Sequence, residues 1–307
     1  MDDRSRMELI YERQDKVMQR LDELFELFEE QNKKIEKRVD QIAQREGMLS
    51  NQISQLMQRE YISQQAIESL NDAFGELNAL KRKIRSIEDQ EGHQDTFNHT
   101  NTVVVAAFRN LCDSVAKAFT KMTGHHCYFC IKIVTAGLTT TSPLNKIELR
   151  TYCRDKRSRR QRTPESYDNQ AIFAADNSDF SSIIEKVRNG EMQEAFFFNN
   201  NLPKRFLKDY KNTRISKKLY EQVYTNPAKA SKERKKMVKK LWNLPYRAAV
   251  VLPILPLEQE SDSPLPIPGF IGLDCDAVKV FEKEREIEIL RGLADTLYNY
   301  MYLISTR

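Results

Sequence analysis

The sequence predicts an α+β protein: a long N-terminal coiled-coil helix, then an antiparallel sheet packed by its first and last helices. Three observations predict it. An apolar residue recurs at every seventh position through the first eighty or so residues. Proline is absent from residues 1–92, so nothing there forbids one long helix. Beyond residue 100, segments with two-residue alternation lie between segments of helical spacing. Their order is helix, two strands, a helical middle with a short strand, two strands, helix. That order argues for a mixed architecture with a largely antiparallel sheet.

The seven-residue series is Met7, Gln14, Leu21, Phe28, Ile35, Ile42, Leu49, Leu56, Ser63, Leu70, Leu77 and Ile84, of which ten are apolar. A second series accompanies it: Ile10, Val17, Leu24, Val39, Ile53, Ile67 and Phe74. A sustained repeat of about 3.5 residues is the pattern of a left-handed coiled coil. One continuous helix is expected over 1–90, because the phase runs straight through Gly47. An antiparallel hairpin turning at 47-GMLSN-51 is the alternative. An apolar stripe on a single helix needs a partner, and a second copy of the chain is the expected one, giving a homodimer. Gln14, Gln31 and Ser63 interrupt the stripe and can fix its register. The polar stretch 88-EDQEGHQDTFNHTN-101 predicts a linker over 91–101, with His93 and His99 as exposed linker groups.

Residues 102–307 form the second domain. Val105, Phe108, Cys112, Val115 and Phe119 recur at helical spacing over 102–123, and Gly124 suits the C-cap. The run 127-CYFCIKIV-134 is aromatic and β-branched, hence a strand. After a turn at 138–145, residues 146–154 alternate. Ile147, Leu149, Thr151 and Cys153 fall on one face, and Lys146, Glu148, Arg150 and Tyr152 on the other. A short apolar piece at 171–174 leads to a helix over 180–187, capped by Asp176, Asn177 or Ser178. Residues 196–198 read as a short strand and 203–225 as irregular helix. Asn226-Pro227 opens another helix. Strands at 247–252 and 270–275 flank a proline-rich loop. A helix over 282–303 follows, with Leu290, Leu293, Leu297 and Met301 as its stripe.

The net charge of +5 is uneven: residues 1–92 contain 15 Lys/Arg and 20 Asp/Glu, and residues 93–307 contain 34 and 24. No apolar run reaches the roughly 18 residues of a transmembrane helix. The opening MDDRSRMELIYERQ lacks the apolar centre of a signal peptide. Five cysteines, an odd number, without an export signal point to reduced thiols and a cytoplasmic protein. No G-x-S-x-G, P-loop, H-E-x-x-H or Rossmann fingerprint occurs. The cluster 176-DNSD-179 lacks further spaced acids and reads as a helix start rather than a metal site.

The stretch 124-GHHCYFC-130 is the one that suggests metal or redox chemistry. In an extended strand, residues i and i+3 point to opposite faces with Cα atoms about 10 Å apart. A disulfide needs about 7 Å or less. No second pair completes a four-ligand zinc set. Cys127 and Cys130 are therefore expected to be buried structural thiols, with no metal. Cys127, Phe129, Ile131 and Ile133 should face the helices. His126, Tyr128, Cys130, Lys132 and Val134 should make the other face.

The end of the chain carries a family resemblance. The run 247-RAAVVLPI-254, followed by 269-GFIGLDCDAVKVFEKEREIEILRGLADTLYNYM-301, resembles the closing half of a GAF domain. Pro253-Ile254, Gly272, Leu273, Asp274, Phe281 and Glu284 hold the places of that family's pattern. The resemblance covers roughly residues 100–307, with its specific residues in the last quarter of the chain. It implies a GAF-like sheet whose face away from the terminal helices forms a ligand pocket, in a small-ligand sensor entered from a coiled coil. The N-K-x-F-D-E signature of cyclic-nucleotide-binding members and the chromophore-attachment cysteine of the phytochrome branch have no match here. The resemblance therefore assigns neither ligand nor cofactor. The family also contains a cysteine-based methionine-sulfoxide reductase, which makes a thiol redox enzyme one alternative. Its reactive cysteines sit in loops around the pocket, a placement that C-x-x-C in a strand does not reproduce.

In such a sheet Tyr128, Lys132, Arg150 and Tyr152, with Phe173 and Asp179, are the candidate lining for a small anionic ligand. An ordinary solvated sheet face is the other reading. The basic stretches 154-RDKRSRRQR-162 and 204–240 offer a nucleic-acid-binding alternative; residues 203–240 hold 14 Lys/Arg against three acids. Its candidates are Arg157, Arg159, Arg160, Lys232, Lys235, Lys236 and Lys239. A solvated face and a membrane-surface helix over 229–242 also fit that composition. The function expected is a non-enzymatic cytoplasmic sensor or adaptor, with a GAF-like domain signalling through a dimeric coiled coil to a partner protein.

Overall fold

The computed structural model describes residues 3–88, 94–136, 142–160, 171–224, 231–257 and 266–305. The chain divides into two compact units, Met1–Tyr61 and Ile62–Arg307. Helix α1 (Asp3–Glu88) runs unbroken through Gly47, so the hairpin turn at 47–51 does not form. Its residues up to Tyr61 make the first unit. There Leu21, Phe28, Ile35, Ile42, Leu49 and Leu56, the seven-residue series, are all exposed. Each such side chain left in water forfeits about 1.5–3 kcal/mol of burial.

In the second unit α1 changes character. Ala66, Ser69 and Ala73 are buried, three small side chains on one helical face. Ala73 belongs to the same core as Val104, Phe108 and Leu111. The Lys121 ammonium donates to the Gln65 carbonyl at 3.3 Å. The second unit thus begins at 62, well before the expected 91–101 linker, because these small residues bring the last part of α1 into the core. Helix α2 (Gln94–Thr123) starts earlier than apolar spacing suggests and takes up 94–101. Residues 91–93 lie outside the described ones. Gly124 ends α2 with φ +68, and its N–H donates to the Thr120 carbonyl at 3.0 Å.

The elements then follow as β1 (Cys127–Ala136), β2 (Glu148–Arg154), the short α3 (Lys156–Arg160), β3 (Ile172–Phe173), α4 (Ser178–Arg188) and β4 (Phe197–Asn199). Next come α5 (Leu202–Phe206), α6 (Lys217–Tyr224), α7 (Ser231–Leu241), β5 (Ala248–Pro253), β6 (Gly269–Cys275) and α8 (Lys283–Ser305). The six strands form one sheet in the order β3-β2-β1-β6-β5-β4, and every neighbouring pair is antiparallel. The class is α+β. The helix start expected at 226–227 lies outside the described residues.

The helices α2 and α8 cover one face. Phe108, Cys112, Val115 and Phe119 of α2 meet Leu290, Leu293, Leu297 and Met301 of α8 over Cys127, Phe129, Ile131, Ile271 and Leu273. The first and last helices account for that face alone. On the other, α4 packs Phe180, Ile183, Ile184 and Val187 against Val134, Leu149, Val251 and Phe270. Beside it, α5, α6 and α7 form a helical cluster around Phe206, Tyr210, Leu219 and Val238 that rests on Tyr128 and Ala249. A sheet buried on both sides explains β5, AAVVLP, whose six residues are apolar and all buried.

One irregularity decides the site. Ile131 pairs with Cys153, but Lys132 pairs with Thr151, so Tyr152 has no partner on β1. A bulge of this kind flips side-chain parity along the strand.

Candidate functional site

Alternation along β1 sends Tyr128, Cys130, Lys132 and Val134 to the face away from α2 and α8, as the sequence predicts. The parity of β2 differs from the sequence reading. Because of the bulge, Arg154 pairs with Cys130 and Thr151 with Lys132, on the pocket face. Tyr152 turns the other way, packing edge-on against Phe108 of α2 with ring centroids 5.3 Å apart. Arg150, paired with Ile133, is exposed and bonds the Glu148 carboxylate at 2.9 Å. Neither Arg150 nor Tyr152 lines the pocket. Phe173 is also exposed, and its neighbour Ile172 lines the cavity instead.

The pocket lies between the sheet, the start of α4 and the segment 212–214, with Tyr246 beside them. Lys132, Arg154 and Arg214 supply three cations, and Asp179 and Asp274 two carboxylates. Asn177, Asn212 and Thr213 add neutral polar groups, and Phe180, Val251 and Phe270 an apolar wall. It is a small, part-open cavity of about 40 Å³. At roughly 10–15 Å³ per water, that cavity takes about three waters or one small charged group. A second, smaller cavity shares Cys130, Arg154, Tyr246 and Asp274 with it and is lined by Tyr128.

Local sequence builds the walls. Asn177 is the N-cap residue of α4, yet its side chain makes no cap bond. Its Oδ1 accepts from the Thr213 N–H at 3.2 Å, and its Nδ2 donates to the Phe173 carbonyl at 3.1 Å. The Ser178 N–H donates to the Lys211 carbonyl at 3.0 Å, and the Lys211 N–H to Ser178 Oγ at 2.8 Å. The start of α4 is thereby tied to the segment that carries Arg214. On the floor, a Cβ at Gly272 would sit 3.2 Å from Cys130 Sγ, so glycine keeps that space open.

Burial sets the electrostatics. Lys132 is 8% exposed. Burial first, and then the Arg214 charge, lower its pKa to about 7. Its ammonium donates to Thr151 Oγ1 at 3.2 Å and lies 5.7 Å from the Phe180 ring centre. Burial likewise raises Asp179 to about 6, against backbone N–H groups and Lys132, which favour its charged form. Burial pushes the Cys130 thiol up, with Arg154 and Lys132 opposing.

The thiols form no such site. All five cysteines are buried and free. Cys127 and Cys130 fall on opposite faces of β1, as extended geometry requires. Among the described residues, no group of three or more His, Cys, Asp and Glu side chains comes together to hold a metal ion. None of the described helices is long and apolar enough to cross a membrane.

The basic candidates separate into two places. On α3, Arg157 contacts His126 Nδ1 at 2.6 Å and Arg159 pairs with Asp113 at 3.3 Å; Arg160 is its last residue. On α7, Lys232, Lys235, Lys236 and Lys239 are exposed. Sequence reasoning missed Arg154, Arg214, Asn177, Asn212 and Asp274 as pocket residues. Asp274 lies within the GAF-like motif and alternates with Cys275, which was signal enough. Arg154 is hidden by the bulge, and Arg214 lies in irregular chain with no period to read.

Among solved structures, the chain is similar to a type II free methionine-R-sulfoxide reductase from Thermoplasma acidophilum, at 12% identity and TM-score 0.33, covering 64% of this chain and 94% of that one. It is similar to the GAF domain region of a Geobacter sulfurreducens PCA protein, at 13% and 0.35, covering 67% and 97%. It is also similar to the GAF domain of the Acinetobacter phosphoenolpyruvate-protein phosphotransferase, at 10% and 0.34, covering 74% and 92%. No family model matches the chain, and no curated protein matches it.

Proposed function

We propose that the protein is a non-enzymatic cytoplasmic sensor whose GAF-like domain binds a small anion, or the anionic group of a larger ligand, and signals through a homodimeric coiled coil. One observation carries this reading: Lys132, Arg154 and Arg214 line one small cavity against the sheet. Three cations against two carboxylates favour a negative guest, and the Phe180 and Phe270 rings beside them favour one with an apolar part. Buried thiols and a protonated Cys130 support a binding role over a catalytic one. The exposed apolar series on α1 supports the dimer, since a second copy would cover it. The segment 62–76 of α1, anchored by Ala66, Ser69 and Ala73, is the element through which the domain would bias the stalk.

The test is thermal denaturation of the full chain with inorganic phosphate, pyrophosphate, nucleotides and carboxylates. A ligand at a hundred times its Kd should stabilise the folded state by about 2.7 kcal/mol. Lys132→Met and Arg214→Gln should each abolish that shift. If no anion raises the melting temperature, or if both variants respond like the wild type, the reading fails.

A further inference from the structure

We propose that the outer face of α7, continued onto the first turn of α6, binds the phosphate backbone of duplex nucleic acid without reading its sequence. This surface is separate from the pocket and does not depend on it. Lys232, Lys235, Lys236 and Lys239 stand at i, i+3, i+4 and i+7, which makes one stripe, and Lys240 lies beside it. All five are exposed. The stripe cannot roll inward, because the opposite side of the helix is committed. Val238 is buried in the helical cluster, with Leu241 and Trp242 against it. The Trp242 ring meets Phe206 edge-on at 6.1 Å, and its indole N–H donates to the Tyr246 carbonyl at 2.9 Å.

The surface extends to α6. The Ser216 N–H donates to Asn243 Oδ1 at 3.1 Å, and Asn243 Nδ2 donates to the Arg214 carbonyl at 2.7 Å. These bonds hold the start of α6, with Lys217 and Lys218 exposed, beside the end of α7. Glu221 and Glu233 are the only acids on the two helices. Among the described residues, none of the seven lysines has an ion pair. The stripe also repels itself. Lys232–Lys235, Lys232–Lys236, Lys235–Lys239, Lys236–Lys239 and Lys236–Lys240 are like-charge neighbours, each costing the helix about 0.2–0.5 kcal/mol. A polyanion would remove that cost.

Physical chemistry narrows the partner. A membrane-surface helix needs a free apolar face, and that of α7 is already packed on the core. A single strand is gripped by stacking its bases on exposed aromatic rings. Here Tyr220 and Tyr224 stack on each other and pack edge-on against Phe206, which leaves Tyr224 as the one exposed ring on the two helices rather than a series of platforms, and Trp242 packs on the helical cluster. What remains is a row of cations about 12 Å long, at 1.5 Å per residue. That length covers three or four phosphates of one strand at about 3.4 Å each. Lysines without bidentate partners position a backbone and carry no base readout.

The experiment is fluorescence anisotropy of the full chain with a labelled mixed-sequence duplex of about thirty base pairs, from 50 to 200 mM salt. With three or four phosphates on α7 and one or two more at Lys217 and Lys218 neutralised, log K should fall with log salt at a slope of about −4 to −5. Replacing Lys232, Lys235, Lys236 and Lys239 together by Gln should flatten that slope by about 3–4 and weaken binding at least about tenfold. The four sites are exposed, so an unchanged melting temperature checks that the variant folds. A second duplex of unrelated sequence should bind equally. The proposal is overturned by no binding at 50 mM salt, by wild-type affinity and slope in the variant, or by strong sequence preference. Tighter binding to phosphatidylserine vesicles or to a single strand also overturns it.

Discussion

Lys132 Nζ donates to the Thr151 hydroxyl at 3.2 Å, and the bulge at Tyr152 is what brings Thr151 to that face. Arg154 donates to the same hydroxyl at 2.8 Å. Two buried cations therefore share one neutral oxygen; burial first, and then the Arg214 charge, lower Lys132 to about 7. An unfolded lysine titrates near about 10.4. Between these values the unfolded chain holds a proton that the folded chain does not, so stability from this group rises with pH. Below about pH 7 the full cost of the buried charge is present. Lys132→Met should therefore be more stable than wild type at pH 6 by up to about 4–5 kcal/mol, a shift of about three units at about 1.4 kcal/mol each. The gap should close by pH 10. Urea titrations at pH 6, 8 and 10 read this directly; a gap independent of pH would assign the effect to packing.

Asp179 runs in the opposite sense. Burial raises it to about 6, against about 3.9 unfolded. Between these values the folded chain binds the extra proton, so its contribution falls as pH rises and is lost above about 6. Asp179→Asn should stabilise the unliganded protein at pH 7 and leave it nearly unchanged at pH 4. Taken with Lys132, the empty pocket is least favourable between pH 6 and 7. Equal stabilisation at both pH values would contradict the buried carboxylate.

Gly269 pairs with Ile133, and a Cβ there would lie 2.2 Å from the Lys132 carbonyl oxygen. That oxygen is backbone in the middle of the sheet, so β1 and β6 would have to separate. Gly269→Ala should cost about 3 kcal/mol, the upper end of ordinary overpacking. Gly292 in α8 has nothing within 4 Å of such a Cβ. Gly292→Ala should instead gain about 0.5–1 kcal/mol from helix propensity. Melting temperatures of the two variants should move in opposite directions.

The stalk prediction rests on exposed side chains. Leu49 and Leu56 are consecutive members of the seven-residue series and both open to water. Replacing both by Glu should convert a dimer to a monomer, while Gln52→Glu, off the series, should not. Sedimentation velocity at micromolar concentration distinguishes these states. A monomeric wild type would remove the dimer from the proposed function.

The architecture was legible where periodicity is long or strict. The seven-residue series gave α1, and strand alternation gave the two faces of β1. Legibility failed where one residue changes parity or where burial comes from small side chains. The bulge at Tyr152 leaves no mark in a sequence that still alternates, so Arg150 and Tyr152 were assigned to the wrong face. The end of α1 joins the core through Ala66, Ser69 and Ala73, residues too small to register in an apolar pattern. A third of the pocket lining comes from 177–179 and 212–214, segments brought together by backbone and amide hydrogen bonds that no local pattern encodes.

The thiols close the question that 124-GHHCYFC-130 raises. A thiolate is the reactive form, and burial raises Cys130 and Cys112, the latter also through Cys153, whose sulfur lies 3.3 Å away. Cys127 and Cys275 face each other across β1 and β6. The Cys127 S–H stabilises a Cys275 thiolate, which lowers Cys275 and raises Cys127. Cys275 is thus the more acidic thiol of this pair, yet it too is buried. An aromatic disulfide reagent at pH 7.5 should therefore react slowly with the native chain, Cys275 first, and with all five thiols in urea. Cys275→Ser should delete the first native phase. Prompt native modification of Cys130 would instead mark an accessible nucleophile in the pocket and return a thiol enzyme to consideration.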